Sequence, residues 1–162
     1  MVIVIMGVSG SGKTTIGKLL VKKMNAVFAD ADDYHPEQNI LKMKNGISLN
    51  QKDREPWLKS LRTILDKYID ESKSLILACS ALSRHSRSIL GINRKDVHLV
   101  YLKGSKSLIK RRVEERNHFM PSSLLDSQFL ELSEPKDALV LDVNHHPDRL
   151  VTIIYNDLIN TN

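Results

Sequence analysis

The sequence predicts an α/β fold in which a five-stranded parallel sheet carries helices on both faces. Three observations lead to this fold class: five short apolar runs recur along the chain, several of them are continuously apolar, and helical patterns fill the gaps between them. A strand that is covered on both faces is apolar throughout, whereas a half-exposed strand alternates. Strands that alternate with helices are joined by right-handed crossovers, which makes the sheet parallel.

The predicted strands are spread over the whole chain. In order, they are Val2 to Met6, Val27 to Ala29, Leu75 to Ala78, Val97 to Leu102 and Leu139 to Val143. The sequence shows no repeat, low-complexity tract or linker, so we expect residues 1–162 to form a single domain. The segment of about residues 117–135 fits the alternation poorly, and we expect it to be an inserted lid with a short helix of its own.

The clearest helical pattern lies between the second and third strands. Its apolar face has spacings of three and four residues and consists of Trp57, Leu58, Leu61, Ile64, Leu65, Tyr68 and Ile69. Asn50 and Asp53 stand just before this face and are candidate capping residues. A last helix is predicted from Leu150, Val151, Ile154 and Leu158.

Composition narrows the class of protein. The net charge of +5 suits an anionic partner. Aromatic residues, however, make up only 5% of the chain and offer few platforms on which bases could stack. A generally basic surface is therefore favoured over nucleic-acid binding. No apolar run is long enough for a transmembrane helix, and the apolar start is better explained by a buried strand than by a signal peptide. The single cysteine, Cys79, fits a reducing cytoplasm and is expected to be buried and unreactive.

The most specific motif follows the first strand directly. It is the run Gly7-Val8-Ser9-Gly10-Ser11-Gly12-Lys13-Thr14, which matches G-x-x-x-x-G-K-[ST] in full and opens a helix. The glycines let backbone N–H groups converge on phosphate oxygens, and the helix N-terminus adds positive potential. Lys13 is expected to reach the β and γ phosphates and the Thr14 hydroxyl to hold Mg²⁺. The motif therefore predicts a bound nucleoside triphosphate.

A second polar cluster follows the second strand, where ligands of open α/β sheets bind. It is the acidic turn Asp30-Ala31-Asp32-Asp33-Tyr34-His35-Pro36, in which three carboxylates repel one another. Asp32 is the candidate catalytic carboxylate, with water-mediated contact to Mg²⁺ as its alternative role; a solvated acidic loop is the structural alternative. The third strand ends without an acidic residue, so Mg²⁺ needs Thr14, water and another carboxylate.

Arg54 lies in the first turn of the long predicted helix, where a cation opposes the helix dipole at a cost of about 0.3–1 kcal/mol. A residue kept in that position either binds an anion or pairs with an acid such as Glu55 or a neighbour. The sequence leaves both interpretations open.

Several blocks together carry a family resemblance. They are G-V-S-G-S-G-K-T-T, D-A-D-D-Y-H-P-E-Q-N-I-L-K-M-K-N-G, D-R-E-P-W-L, A-C-S-A-L and S-Q-F-L-E-L-S-E-P. They resemble the gluconokinase family of the small P-loop type, from Gly7 to about Pro135 and again at Val140 to Val143. The resemblance implies a three-layer P-loop kinase fold like that of nucleoside monophosphate kinases, usually as a homodimer. It also implies transfer of the γ-phosphoryl group of ATP to the 6-hydroxyl of D-gluconate.

The resemblance also assigns residues. For ATP these are Gly7, Val8, Ser9, Gly10, Ser11, Gly12, Lys13, Thr14, Thr15, Arg112 and Arg116. For the substrate they are Asp32, His35, Arg54, Ser80 and Arg87. Lys13 and Asp32 are the expected catalytic residues, and Thr14 is the expected Mg²⁺ ligand. In the lid, His118 and Gln128 either contact ligand or help the lid to fold.

The chain departs from the family pattern in three places, one of which is the start of the lid, Arg116-Asn117-His118-Phe119-Met120, which is one residue shorter than in some relatives. Where relatives often have G-x-P-L followed by an acidic residue, it has Gly46-Ile47-Ser48-Leu49 and then Gln51, and where they commonly have Y-R-D, it has Ser86-Arg87-Ser88. These differences leave the phosphate loop intact and bear on the choice among sugar acids.

The expected mechanism is in-line phosphoryl transfer without a covalent intermediate, with Arg54 and Arg87 as candidates for binding the substrate carboxylate through their forked guanidinium groups. Two alternatives remain at the level of sequence. One is a related kinase that acts on shikimate or a nucleoside monophosphate. The other is a nucleotide-dependent binding module that has no phosphoryl acceptor.

Overall fold

The computed structural model of the protein describes residues 1–115 and 122–160. The strands are β1 (Val2–Met6), β2 (Val27–Asp30), β3 (Leu75–Ala78), β4 (Val97–Lys103) and β5 (Leu139–Asp142). The helices are α1 (Lys13–Lys23), α2 (Glu37–Lys44), α3 (Gln51–Asp70), α4 (Arg84–Leu90), α5 (Lys106–Glu115), α6 (Ser122–Glu131) and α7 (Pro147–Asn160). One turn of 3₁₀ helix, Ala31–Tyr34, follows β2 directly.

The five strands form one parallel sheet in the order β2-β3-β1-β4-β5. The middle strand is β1, in which Val4 is in register with Leu77 of β3 and with Leu99 of β4. The five predicted strands and their parallel arrangement are therefore confirmed, with strand ends shifted by no more than one residue. The carboxyl ends of all five strands lie at one edge of the sheet, because the strands are parallel.

Two apolar cores cover the sheet, one on each face. Alternate residues of β1 belong to opposite cores: Val4 packs with residues of α3 and α4, whereas Ile5 packs with residues of α1, α5 and α7. Both residues are buried completely. This explains why β1 is apolar throughout, and it confirms the expected layers of helix, sheet and helix.

Helix α3 begins where the sequence predicts. The side chain of Asn50 accepts a hydrogen bond from the backbone N–H of Asp53 at 2.9 Å, and the Asp53 carboxylate accepts one from the N–H of Asn50 at 3.1 Å. This reciprocal capping box satisfies two of the N–H groups that every helix start leaves unpaired. The predicted apolar face is buried at Trp57, Leu58, Leu61 and Leu65.

Helix α6 lies within the expected lid segment, between α5 and β5. It is tied to the rest of the molecule by buried Leu125 and by an ion pair of Asp126 with Lys106 at 2.8 Å. Arg116 and His118 lie outside the described residues. Within residues 1–115 and 122–160, no helix combines the length and apolar character that a membrane-spanning segment requires.

Candidate active site

Polar residues at or just after the carboxyl ends of β1, β2 and β3 line one cavity of about 180 Å³. The phosphate loop, the acidic turn after β2, the start of α3 and one face of α6 enclose it. Its polar lining consists of Ser9, Lys13, Asp30, Asp32, His35, Ser48, Arg54, Ser80, Ser127, Gln128 and Glu131. Five of the residues expected to bind substrate or act in catalysis, Lys13, Asp32, His35, Arg54 and Ser80, are thus brought together.

The phosphate loop depends on glycine at its first position. Gly7 has φ of 153°, in the region that L side chains rarely adopt, and a Cβ atom there would lie 2.6 Å from Ser11 Oγ and 2.9 Å from the carbonyl oxygen of Leu102. Gly12 has φ of 101° and directly precedes α1. The loop therefore turns tightly enough to direct the N-terminus of α1 toward the cavity.

Lys13 is folded back onto the loop. Its Nζ atom donates to the carbonyl oxygens of Gly7 at 2.9 Å and Val8 at 3.0 Å. Burial lowers the pKa of Lys13, while the nearby carboxylates of Asp32 and Asp30 act in the opposite direction. An ammonium group held among carbonyl oxygens beside two carboxylates is poised to neutralise phosphate charge.

Thr14 and Asp30 form the part of the site best suited to a hard cation. The Thr14 hydroxyl donates to Asp30 Oδ2 at 2.8 Å, and Asp30 Oδ1 accepts from the N–H of Asp32 at 3.2 Å. A hydroxyl and a carboxylate at the mouth of a phosphate loop are oxygen ligands of the kind that Mg²⁺ prefers. Among the described residues no group of three or more His, Cys, Asp or Glu could hold a metal alone. The residues therefore fit an ion that takes its remaining ligands from phosphate and water.

Asp32 extends from the 3₁₀ turn into the cavity, and 83% of its side chain is accessible. Partial desolvation raises the pKa of Asp32, the negative charge of Asp30 raises it further, and the Lys13 ammonium opposes both effects. Because solvent reaches the carboxylate, we expect it to be ionised at neutral pH and able to accept a proton. Its neighbour Asp33 does not line the cavity.

His35 is held as a neutral ring. It stacks on Trp57 with ring centroids 4.0 Å apart, and burial, followed by the charge of Arg54, lowers the pKa of His35 to about 4. Asn39 Nδ2 donates to the carbonyl oxygen of Asp53 and contacts His35 Nδ1 at 3.4 Å. Since that nitrogen faces a donor, the proton lies on Nε2, which is 3.9 Å from Asp32 Oδ1.

Arg54 pairs with an acid, and that acid is Glu131 of α6. Its guanidinium also donates to the carbonyl oxygens of Leu49 at 2.9 Å and Asn50 at 3.3 Å. Glu131 is the last residue of α6, where a negative charge opposes the helix dipole, just as Arg54 opposes that of α3. Each charge compensates the unfavourable position of the other. Glu55, the partner suggested by the sequence, pairs instead with Lys59 at 2.9 Å.

The structure does not bring Arg87 to the cavity, in contrast to the expectation that it binds substrate. Its side chain is buried and donates to the carbonyl oxygens of Ala81 at 2.9 Å, Leu82 at 2.8 Å and Ser133 at 2.8 Å. Ala81 has φ of 44°, a strained conformation for a residue other than glycine. Arg87 thus holds the turn after β3, which carries Ser80, and ties it to the segment after α6.

Of the residues expected to contact the nucleotide beyond the phosphate loop, Arg112 and Thr15 do not line the cavity. Arg112 donates from Nη2 to the carbonyl oxygen of Val143 at 2.6 Å, which joins α5 to the segment that follows β5. Thr15 is exposed on the first turn of α1. Arg116 lies outside the described residues.

Sequence reasoning missed Glu131 and left Asp30 and Gln128 without a clear role. The signal for Glu131 was available, since Gln128 and Glu131 are three residues apart and therefore share one helix face. Cys79 follows the expectation, because it is buried and desolvation raises the pKa of its thiol to about 12. Its neutral thiol therefore forms part of the cavity wall.

Comparison with known proteins agrees with this geometry. The sequence matches the family described as Shikimate kinase over residues 9–146. It is 44% identical to a probable gluconokinase of Rattus norvegicus, with 83% of each chain covered, and 41% identical to a probable gluconokinase of Xenopus tropicalis, with 98% of this chain and 91% of the relative covered.

Among solved structures, a gluconokinase from Sinorhizobium meliloti 1021 is 36% identical, with a TM-score of 0.84 over 93% of this chain and 86% of that one. These likenesses cover from 83% to 98% of this chain. A phosphate loop alone occurs in many families, so the assignment depends on the extent of the match along the chain. The chain belongs to the gluconokinase family.

Proposed function

We propose that this protein transfers the γ-phosphoryl group of ATP to the 6-hydroxyl group of D-gluconate. The observation that carries the proposal is that Ser9 and Lys13 of a complete phosphate loop, a solvent-accessible carboxylate and an arginine line one small cavity. The gluconokinases among its relatives supply the identity of the acceptor. The cavity suits a small polyhydroxylated molecule, because polar groups approach it from four sides.

In the proposed reaction the phosphate loop and Lys13 bind the phosphates of ATP. Thr14 and Asp30 would hold Mg²⁺, which when bound neutralises charge on the phosphate oxygens. The acceptor oxygen bonds to the γ-phosphorus as the bond from that phosphorus to the ADP oxygen breaks. The protein contributes mainly position and charge, since phosphoryl transfer needs no covalent intermediate.

Asp32 is proposed to orient the acceptor hydroxyl and accept its proton. A sugar hydroxyl has a pKa far above 7, so a carboxylate at its side helps as the oxygen begins to bond to phosphorus. Asp32 shares the cavity with Lys13 and Ser9 of the phosphate loop, and 83% of its side chain is accessible to solvent. The neutral ring of His35 offers its Nε2 proton nearby and adds no charge that would compete for the carboxylate.

Arg54 is proposed to bind the carboxylate of gluconate. A guanidinium has five N–H donors, and three of those of Arg54 have acceptors among the described residues, in Asn50, Leu49 and Glu131. Two donors therefore remain for a ligand. Arg54 also lines a neighbouring open cleft of about 500 Å³, which includes Gln51 and Ser86. The departures from the family pattern at these two positions thus lie beside the proposed carboxylate site.

A substrate panel tests the proposal. ADP release with ATP and Mg²⁺ should be fastest with D-gluconate among gluconate, related aldonates, shikimate and nucleoside monophosphates. A preference for shikimate or a nucleoside monophosphate would assign the cavity to a different acceptor. Binding of ATP without turnover on any sugar acid would favour the binding module over the enzyme.

A further inference from the structure

Helix α6 reaches three separate parts of the site from one face. We call Ser127, Gln128 and Glu131 its closing face. Ser127 Oγ lies 3.1 Å from Ser48 Oγ before α3, and Glu131 pairs with Arg54 in α3. Gln128 contacts the phosphate loop itself. The helix is therefore a wall of the cavity as well as part of a lid.

The contact made by Gln128 is a two-point hydrogen bond with a single residue. The backbone N–H of Ser9 donates to Gln128 Oε1 at 2.7 Å, and Gln128 Nε2 donates to Ser9 Oγ at 3.0 Å. A backbone N–H can only donate, so the orientation of the carboxamide is fixed. The two bonds join positions that are 119 residues apart in the chain.

Ser9 is the third residue of the phosphate loop, and it lines the cavity together with Lys13, Asp32 and Gln128. The pair of Ser9 and Gln128 therefore lies where the loop that binds phosphate meets the side of the cavity that holds the acceptor. A carboxamide suits this place because it is neutral, so it does not repel a phosphoryl group. Gln128 also covers Ser9 on the side of the phosphate loop that faces the cavity.

From this geometry we propose that Gln128 is a positioning residue that couples the seating of α6 to the phosphate loop and so favours transfer to the acceptor over transfer to water. The inference rests on the proposed function, since it needs ATP and a sugar-acid acceptor. In hydrolysis the oxygen of water bonds to the γ-phosphorus, the same bond to ADP breaks, and a proton of the water is released. Enzymes that close a lid over the reacting groups suppress this side reaction.

Other contacts keep α6 in place when Gln128 is changed. Leu125 is buried in the core, and Asp126 pairs with Lys106 on the side away from Ser9. The segment after the helix is also held, because the N–H of Ser133 donates to the carbonyl oxygen of Leu82 at 3.0 Å. A variant at Gln128 should therefore fold, and its effect should appear in catalysis.

The test measures ADP and 6-phosphogluconate together in the whole protein. The parent should form about one ADP per product, whereas Gln128→Ala should lower kcat for transfer at least about tenfold and raise the ratio of ADP to product. Ser9→Ala removes one of the two hydrogen bonds and should give a smaller change in the same direction. When Ser9→Ala is combined with Gln128→Ala, it should change kcat and the ratio of ADP to product little further, because the two residues act through one contact.

The matched control is Asp126→Ala, which loosens the same helix without touching Ser9. It should keep the ratio of ADP to product at about one. The inference is overturned if Gln128→Ala keeps that ratio, or if Asp126→Ala raises it equally, since the effect would then come from any loosening of α6. A parent that makes no 6-phosphogluconate would refute the proposed function, and the inference would fall with it.

Discussion

Asp32 and Asp33 are neighbours in the turn after β2, yet only Asp32 lines the cavity. Asp32→Asn keeps the shape of the side chain and removes the charge that is proposed to accept the proton. We therefore expect kcat to fall at least about a hundredfold, the usual contribution of a positioned base, while ATP affinity without Mg²⁺ changes little. Asp33→Asn is the control and should change kcat little, because Asp33 does not line the cavity. The role assigned to Asp32 would be wrong if Asp33→Asn were the crippling change.

Arg54 differs from Arg62, the other arginine of α3, in facing the cavity. Arg54→Ala should raise KM for gluconate about ten- to a hundredfold and KM for ATP much less, because a hydrogen bond to a charged group contributes about 1.5–3 kcal/mol. Arg62→Ala is a suitable control, since Arg62 is on the same helix and pairs with Asp66 at 2.9 Å, outside the cavity. Equal changes in both KM values would indicate that Arg54 serves only to hold Glu131.

His35 makes the stability of the fold depend on pH. Its pKa is lowered from 6.5 to about 4 in the folded protein, so the unfolded chain binds more protons between these values. The contribution of His35 to the free energy of unfolding is therefore fully present above pH 6.5, and it is lost as the pH falls toward 4. Linkage gives a loss of about 2 kcal/mol in the free energy of unfolding between pH 7 and pH 5. Urea unfolding of His35→Gln should show a clearly smaller loss over this range; an equal loss would mean that other groups cause it.

At the scale of elements, the turn after β3 depends on a single buried guanidinium. Arg87→Met keeps most of the side-chain volume but leaves the carbonyl oxygens of Ala81, Leu82 and Ser133 without their donor. We expect the free energy of unfolding to drop by about 2–4 kcal/mol, as measured in urea. Arg84→Met, at the exposed first residue of α4, should change it by no more than about 0.5 kcal/mol. Similar losses in both variants would contradict this role for Arg87.

The elements also show what could be predicted from sequence. Strand β1 and the start of α3 were predictable because their signals are local: a continuous apolar run, and Asn50 three residues before Asp53. The pair of Arg54 and Glu131 was not, because it joins residues 77 positions apart on two helices whose packing the sequence does not state. Sequence reasoning assigned Arg87 to the substrate for a related reason. An arginine near a functional turn looks the same whether it faces a ligand or backbone carbonyls.

At the scale of the whole molecule, the order of the strands decides which residues can meet. The sequence predicted five strands but not that β3 lies between β1 and β2. In that order, the phosphate loop after β1 and the acidic turn after β2 are separated by the end of β3, where Cys79 and Ser80 follow. Both of these residues are small, so they leave room between the phosphate loop and the acidic turn. The sequence has no acidic residue at the end of β3. The carboxylate that contacts the Thr14 hydroxyl is instead Asp30, at the end of the neighbouring strand β2.

The stacking of His35 on Trp57 has an optical consequence. Trp57 is the one tryptophan of the chain, it is buried in the cavity wall, and its Nε1 donates to the carbonyl oxygen of Ala31 in the acidic turn at 2.8 Å. All indole emission of the protein therefore originates beside the proposed acceptor site. A ligand that shifts the imidazole ring against the indole changes the intensity of that emission, so binding of the sugar acid can be titrated without nucleotide, label or turnover.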